Sequence, residues 1–138
     1  MGAEDSQAGV GPRYTRHMRK QPKWLKQVKP NNFEAAESYL ALIYSDKKTA
    51  RLVAELRRAK PARFQAKDIF RASQLSKLGV SNLRVARDRR KIKAGTPLSP
   101  ILLVRDERNG KVVVADGYHR LCAVYEVNED LWIPCRIV

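Results

Sequence analysis

Two short apolar runs flank an Asn-Gly dipeptide in the last third of the chain, and they constrain the fold more than any other feature. SPILLVRD ends at Asp106, KVVVAD begins at Lys111, and Asn109-Gly110 lies between them. Continuous apolar runs of this length are typical of buried strands, and Asn-Gly favours the tight turn of a β-hairpin. The sequence therefore predicts a hairpin whose second strand is suited to burial.

A helix and a further strand are predicted after the hairpin. DGYHRLCAVYEV is typical of a helix that the chain enters through Gly117, and IPCRIV is typical of a final strand. The order strand, turn, strand, helix, strand indicates an α+β domain with a small mixed sheet.

The part of the chain that precedes the hairpin is predicted to be helical. Helices are expected over 33–45, over 47–59, within 67–78 and over 82–94. Pro61 would end the second helix, and Gly95 fits the end of the last. Three of these helices follow residues that commonly cap a helix, namely Asn31 or Asn32, Ser45 or Asp46, and Ser81 or Asn82.

The positive charge is concentrated in the middle of the chain. The protein carries 28 Lys and Arg against 14 Asp and Glu, a formal net charge of +14. Residues 47–93 hold sixteen of these bases and three of the acids, whereas residues 94–138 have a net charge of −1. The basic segment indicates a polyanionic partner such as DNA, RNA or nucleotide phosphates, or else a set of solvated helix faces.

Residues 1–30 are predicted to be a basic flexible arm, and residues 31–138 a single domain. Gly, Ser, Gln and Pro are frequent in 1–22, and no apolar period is present there. Tyr14 and Trp24 are interleaved with Lys and Arg. The arm can therefore follow a phosphate backbone and stack on bases, or remain a solvated tail.

The composition predicts a cytoplasmic protein without a membrane partner. No stretch approaches the roughly 18 apolar residues of a membrane span, and the N-terminus has no apolar signal region. Cys122 and Cys135 fit no zinc spacing and are expected to be reduced thiols.

The pentapeptide Asp116-Gly117-Tyr118-His119-Arg120 joins the second hairpin strand to the predicted helix and is the main candidate site. The first N–H groups of a helix lack partners and attract anions, and glycine lets a ligand approach closely. Arg120 offers donors suited to phosphate, and His119 can move a proton near neutral pH. Asp116 can cap the helix or hold a metal bound to phosphate. In the structural alternative, the pentapeptide is only a turn with a packed Tyr118.

The predicted helix over 82–94 is a second candidate site, for nucleic acid. The side chains expected to contact phosphates without reading sequence are Arg84, Arg87, Arg90 and Lys91. Together with the helix within 67–78, this segment can form a helix-turn-helix through LGVSN. The alternative is a solvated helix that packs through Leu83, Ala86 and Ile92.

Residues 76–138 resemble the core of the ParB/sulfiredoxin superfamily. The matching elements are Gly95, the strand Pro100-Ile101-Leu102-Leu103-Val104, Asn109-Gly110, and an "ADG-x-HR-x-x-A" motif that ends at Ala123. The resemblance implies a ParB/sulfiredoxin-like α+β fold with a nucleotide triphosphate or diphosphate bound at Gly117, Tyr118, His119 and Arg120. It is also consistent with Mg²⁺ at Asp116, and with Asp116 and His119 as catalytic residues.

Within that superfamily, the motif is most similar to the Asp-Gly-x-His-Arg type of the free-serine kinases. Sulfiredoxins carry a nucleophilic Cys where this chain has Tyr118, so sulfiredoxin activity is not expected. A serine kinase also needs a catalytic carboxylate from outside the motif, for which Glu34, Glu37 and Asp68 are candidates.

Three functions are consistent with the sequence. The first is nucleotide binding by a bacterial or phage protein, coupled to DNA binding, with NTPase or phosphotransferase activity left open. The second is a nucleic-acid-binding module built on residues 47–93. The third is an interaction domain with a degenerate nucleotide site, and a second copy of the chain is a further candidate partner.

Overall fold

A computed structural model describes residues 20–138, which contain five α-helices and four β-strands. The helices are α1 (Pro30–Leu40), α2 (Asp46–Arg58), α3 (Ala66–Ser73), α4 (Leu83–Ala94) and α5 (Tyr118–Val127). The strands are β1 (Ala62–Gln65), β2 (Ile101–Asp106), β3 (Lys111–Asp116) and β4 (Trp132–Ile137). The predicted α+β class is confirmed.

The four strands form one mixed sheet in the order β1-β4-β2-β3. The hairpin strands β2 and β3 are antiparallel, β2 and β4 are parallel, and β1 and β4 are antiparallel. The chain therefore leaves β3 at one edge of the sheet, runs through α5, and returns as β4 on the far side of β2.

Helices cover both faces of the hairpin strands, which explains why their apolar runs are continuous rather than alternating. Ile101 and Leu103 face the layer formed by α3, α4 and α5. Leu102 and Val104 face α1 and α2. Successive side chains of a strand point to opposite faces, so two covered faces require an apolar residue at every position.

The hairpin turn is longer than a two-residue turn. A 3₁₀ turn, Glu107–Asn109, is followed by Gly110 at φ 64°, in the left-handed region that favours glycine. The Asp106 carboxylate accepts a hydrogen bond from the side-chain amide of Asn109 at 2.8 Å. The predicted hairpin is confirmed, and Gly110 rather than Asn109 supplies the left-handed residue.

The helix boundaries agree best with prediction where a side chain caps the helix. Ser45 caps α2, Asn82 caps α4, and Gly95 ends α4 in the left-handed conformation, as expected. The predicted caps of α1, Asn31 and Asn32, are wrong because α1 begins earlier, at Pro30. Proline suits the first helical position because its ring fixes φ near the helical value.

The packing of α4 differs from the predicted alternative. Leu83 is 84% exposed, and the buried residues of this helix are Val85, Asp88 and Ile92. Residues 74–82 separate α3 from α4, and α4 packs along α5. The predicted helix-turn-helix is therefore not formed.

The region before α1 is partly folded onto the domain. Trp24 forms a β-bridge with Leu98, and Val28 is buried in the core beneath α1. The predicted flexible arm, residues 1–30, is thus too long at its C-terminal end, and Trp24 is packed rather than free to stack on bases. Tyr14 and the rest of 1–19 lie outside the described residues.

None of the helices in residues 20–138 has the length and apolar character needed to cross a bilayer.

Candidate functional site

The pentapeptide forms the junction between β3 and α5, as predicted. Gly117 precedes the helix with φ 112° and ψ 15°, and the first helical hydrogen bond runs from the Leu121 N–H to the Gly117 carbonyl at 2.9 Å. Tyr118, His119 and Arg120 precede that bond, so their N–H groups belong to the unpaired first turn of the helix.

Gly117 is required by its surroundings as well as by its backbone angles. A Cβ atom at this position would lie 2.8 Å from Cγ1 of Ile101 and 3.0 Å from Nη2 of Arg120. Ile101 is fully buried at the start of β2, so it has no room to move away. The glycine therefore lets the junction pack tightly against β2 while leaving space for the Arg120 guanidinium.

Asp116 and Arg120 form a partly buried ion pair across this junction. Arg120 Nη2 donates to Asp116 Oδ2 at 3.1 Å and to the Pro100 carbonyl at 3.2 Å, and the two side chains are 16% and 17% exposed. Burial raises the pKa of the Asp116 carboxyl, and the charge and hydrogen bond of Arg120 act in the opposite direction. Asp116 does not cap α5 through its side chain, so its observed role is to hold Arg120.

The two candidate sites of the sequence meet in one cleft of about 270 Å³. All five residues of the pentapeptide line this cleft. Three of the four cations predicted to bind nucleic acid, Arg84, Arg87 and Lys91, line it as well. Arg90 does not. The face of α4 that carries these three cations is therefore turned toward the start of α5.

The start of α1 forms another wall of the cleft, through Lys29, Asn31 and Asn32. No side chain caps α1, and none caps α5, whereas Asn82 accepts hydrogen bonds from two N–H groups of α4. Helix α3 also lacks a side-chain cap, but its first residues do not line the cleft. The first turns of α1 and α5 are therefore the uncapped ones that lie at the cleft.

His119 is surrounded by positive charge inside the cleft. Burial is the largest cause that lowers its pKa, followed by the charge of Arg84. Asp88 opposes the decrease, whereas Arg87 and Arg120 add to it. With a pKa below the usual value, the imidazole is neutral at pH 7, so it can accept a proton or a hydrogen bond there.

Tyr118 is tied to the connection between α3 and α4. Its hydroxyl donates to the Ser76 carbonyl, and its ring lies 5.4 Å from the His119 ring, centroid to centroid. Burial raises the pKa of the Tyr118 hydroxyl, and Cys122 adds to the rise. The tyrosine lines the cleft with its ring while its hydroxyl is already bonded.

Comparison of the chain with protein-family models, curated proteins and solved structures finds no match. The ParB/sulfiredoxin resemblance stays a prediction, and the geometry of the cleft carries the functional argument.

Asp88 is a charged residue of the cleft that was not among the predicted site residues. It lies on α4, is 7% exposed, and is the acid of an otherwise basic helix. The sequence does indicate that Asp88 is buried, because Val85, Asp88 and Ile92 have the i, i+3, i+7 spacing of a buried stripe.

The predicted carboxylates Glu34, Glu37 and Asp68 do not line the cleft.

Magnesium at Asp116 also stays a prediction. Across residues 20–138, no three His, Cys, Asp or Glu side chains are grouped so that they could hold a metal ion. The Asp116 carboxylate already has Arg120 as its counter-charge, and that guanidinium would repel a cation. The arrangement favours the ion pair over a metal ligand at this residue.

Proposed function

We propose that this protein binds the phosphate groups of a nucleotide triphosphate or diphosphate in the cleft between α1, α4 and α5. The observation that carries the proposal is the meeting of two anion-binding features in one cavity. The uncapped first turn of α5 and the cationic face of α4 both line it. Each feature alone is common in proteins, whereas their convergence on one concave surface is typical of a phosphate site.

The charge of the cleft fits a polyphosphate. Its cations are Lys29, Arg84, Arg87, Lys91 and Arg120, and its carboxylates are Asp88 and Asp116. Five cations against two carboxylates leave a surplus of three positive charges, which a diphosphate or triphosphate can neutralise. Because the cleft is concave and partly shielded from water, each of these charges acts more strongly than on an open surface.

The size of the cleft suits phosphates and sugar better than a whole nucleotide. Small-molecule pockets are commonly about 300–1,000 Å³, and this cleft lies just below that range at about 270 Å³. In the proposed complex the first turn of α5 and Arg120 hold one phosphate, and the α4 cations hold the next. The base then lies at the rim.

Of the two predicted catalytic residues, the geometry supports proton transfer by His119 and a positioning role for Asp116. His119 is neutral and faces the cleft, so it is placed to accept a proton from a hydroxyl or water that attacks a bound phosphate. Asp116 bonds to Arg120 and acts as a positioning residue. Phosphoryl transfer or hydrolysis stays a prediction, to be assayed in the same samples as binding.

Nucleic-acid binding through α4 is the second candidate, because Arg84, Arg87 and Arg90 are all exposed. A duplex that contacts this helix would use Arg90 as well as the two arginines of the cleft. A nucleotide in the cleft would not use Arg90.

The pair Arg87 and Arg90 therefore gives a matched test. ATP, ADP, CTP and GTP are titrated by calorimetry, with Mg²⁺, into the wild type, Arg87→Ala and Arg90→Ala. Both variants remove one exposed arginine from the same helix, and only Arg87 lines the cleft. We expect Arg87→Ala to weaken binding about 10- to 100-fold, the loss of a charged hydrogen bond, and Arg90→Ala to bind like the wild type.

Two results would overturn the proposal. One is the absence of saturable binding of any nucleotide by the wild type. The other is an equal loss of affinity in both variants, since that would mean a general effect of surface charge. A parallel titration with duplex DNA, repeated at increasing salt, shows whether α4 binds a phosphate backbone instead.

A further inference from the structure

One face of the sheet is covered by helices over only part of its width. On the side of α1 and α2, Leu102 and Val104 of β2 are buried. The same face continues onto β4, because Arg136 is the register partner of Leu102. Trp132 lies on β4 four residues before Arg136, so its side chain points to the same face of the sheet. Trp132 is 50% exposed. Helices α1 and α2 therefore cover the part of this face on β2 and leave the part around Trp132 on β4 exposed.

An arginine and a tryptophan lie together on the uncovered part. Arg63 of β1 pairs with Pro134 of β4, and the Arg63 guanidinium lies over the Trp132 ring, 5.1 Å from its centroid. Gln65 of β1 pairs with Trp132. We refer to Arg63, Gln65, Trp132 and Pro134 as the open strip.

The positive charge continues from the open strip to the end of α2. Arg136 Nη1 donates to the Ala59 carbonyl at 2.6 Å, which brings the guanidinium to the connection between α2 and β1. The neighbours of Ala59, Arg58 and Lys60, are both exposed. The acid nearest to Trp132 in sequence, Asp130, is neutralised by Lys67, whose Nζ lies 2.6 Å from its carboxylate.

We propose that the open strip and these flanking cations bind single-stranded nucleic acid. An exposed indole gives a base a flat apolar surface on which to stack, and an arginine over an aromatic ring can add its own plane to the stack. Arg58, Lys60 and Arg136 supply the charge that follows a phosphate backbone. A duplex is a poorer ligand, because its bases are already stacked on each other.

This surface is separate from the cleft. Its residues do not line the cleft, so the inference does not rest on nucleotide binding. The two sites can therefore be tested independently with the full chain.

The test measures binding of a labelled oligothymidine of about 16 nucleotides to the wild type, Trp132→Ala and Arg63→Ala. Tyr39→Ala and Arg108→Ala are the matched controls, since they remove an exposed aromatic ring and an exposed cation elsewhere. We expect Trp132→Ala to weaken binding about 5- to 100-fold and the controls to bind like the wild type. Trp132→Phe, which keeps a ring, should recover much of the affinity.

Tryptophan fluorescence adds a direct readout of stacking. The chain has two tryptophans, and Trp24 is packed against the core. Quenching on addition of the oligonucleotide should therefore disappear in Trp132→Phe. Unchanged affinity in Trp132→Ala, equal affinity for a duplex of the same length, or no binding by the wild type would each overturn the proposal.

Discussion

Arg120 Nη2 donates to Asp116 Oδ2 at 3.1 Å, so the last residue of β3 holds a side chain from the first turn of α5. The two residues are four apart in sequence and lie on opposite sides of Gly117. Their ion pair fixes where the guanidinium points into the cleft. The phosphate-binding capacity proposed for Arg120 therefore depends on a residue that need not touch the ligand.

Breaking this pair should cost stability as well as binding. We expect Arg120→Ala to lower the free energy of unfolding by about 2–3 kcal/mol, because it leaves the partly buried Asp116 carboxylate without a counter-charge. Urea denaturation measures the change. The double variant Asp116→Ala/Arg120→Ala should lose less than the sum of the two single variants, since it removes both charges. Strictly additive losses would show that the two side chains do not interact in solution.

Gly117 should be far less replaceable than another glycine with a positive φ. Gly110 also has a positive φ, but a Cβ atom there would meet no atom within 4 Å. We expect Gly110→Ala to cost about 1 kcal/mol from backbone strain alone. Gly117→Ala adds a contact of 2.8 Å with Ile101 and should cost about 3 kcal/mol or more.

Thermal and urea unfolding of the two variants side by side measure this difference. Equal losses would mean that the core around Ile101 relaxes to accept the methyl group. The nucleotide affinity of Gly117→Ala should also fall, because the new methyl group would lie 3.0 Å from Arg120 Nη2.

Local patterns predicted the elements that carry the site. KVVVAD has the bounds of β3, Lys111–Asp116, because an apolar run between a turn and a glycine junction defines a buried strand by itself. The caps of α2 and α4 are equally predictable from the sequence, because a capping side chain bonds to N–H groups only two or three residues away.

The features that the sequence does not predict depend on contacts between distant parts of the chain. β1 has four residues, and its pairing with β4, the last strand of the sheet in sequence, stabilises it more than its own propensity does. The wall of the cleft formed by Lys29, Asn31 and Asn32 likewise exists only because α1 packs beside β3. Nothing in the local sequence shows that these residues face His119.

The two thiols should be inert in the folded protein. Cys122 and Cys135 are free and buried, and burial raises the pKa of Cys135 to about 12. Burial also raises the pKa of Cys122. Because the thiolate is the reactive form, a disulfide reagent such as Ellman's reagent should label neither cysteine until the chain unfolds. Both should react in denaturant, and fast labelling of either one at neutral pH in native buffer would contradict the burial described here.

His119 should make the protein less stable in mild acid. Its pKa is lowered in the folded state, so the unfolded chain binds a proton more readily than the folded one. The contribution of His119 to stability is complete above the unfolded pKa of about 6.5 and is lost as the pH falls through the lower folded pKa. Urea denaturation across this range should show the loss in the wild type and a smaller one in His119→Gln.

The same residue should report ligand binding. A phosphate beside the imidazole stabilises the charged form, so nucleotide should raise the pKa of His119 toward or above its usual value. The imidazole resonances can be followed by NMR against pH with and without ATP. The chain has two histidines, and a His17→Gln variant assigns the signal of His119. The expected pair of observations is a pKa below 6.5 in the free protein, as burial and Arg84 require, and an increase on addition of ATP. A pKa of His119 that does not change with saturating ATP would place the phosphates away from this histidine, and with it away from the first turn of α5.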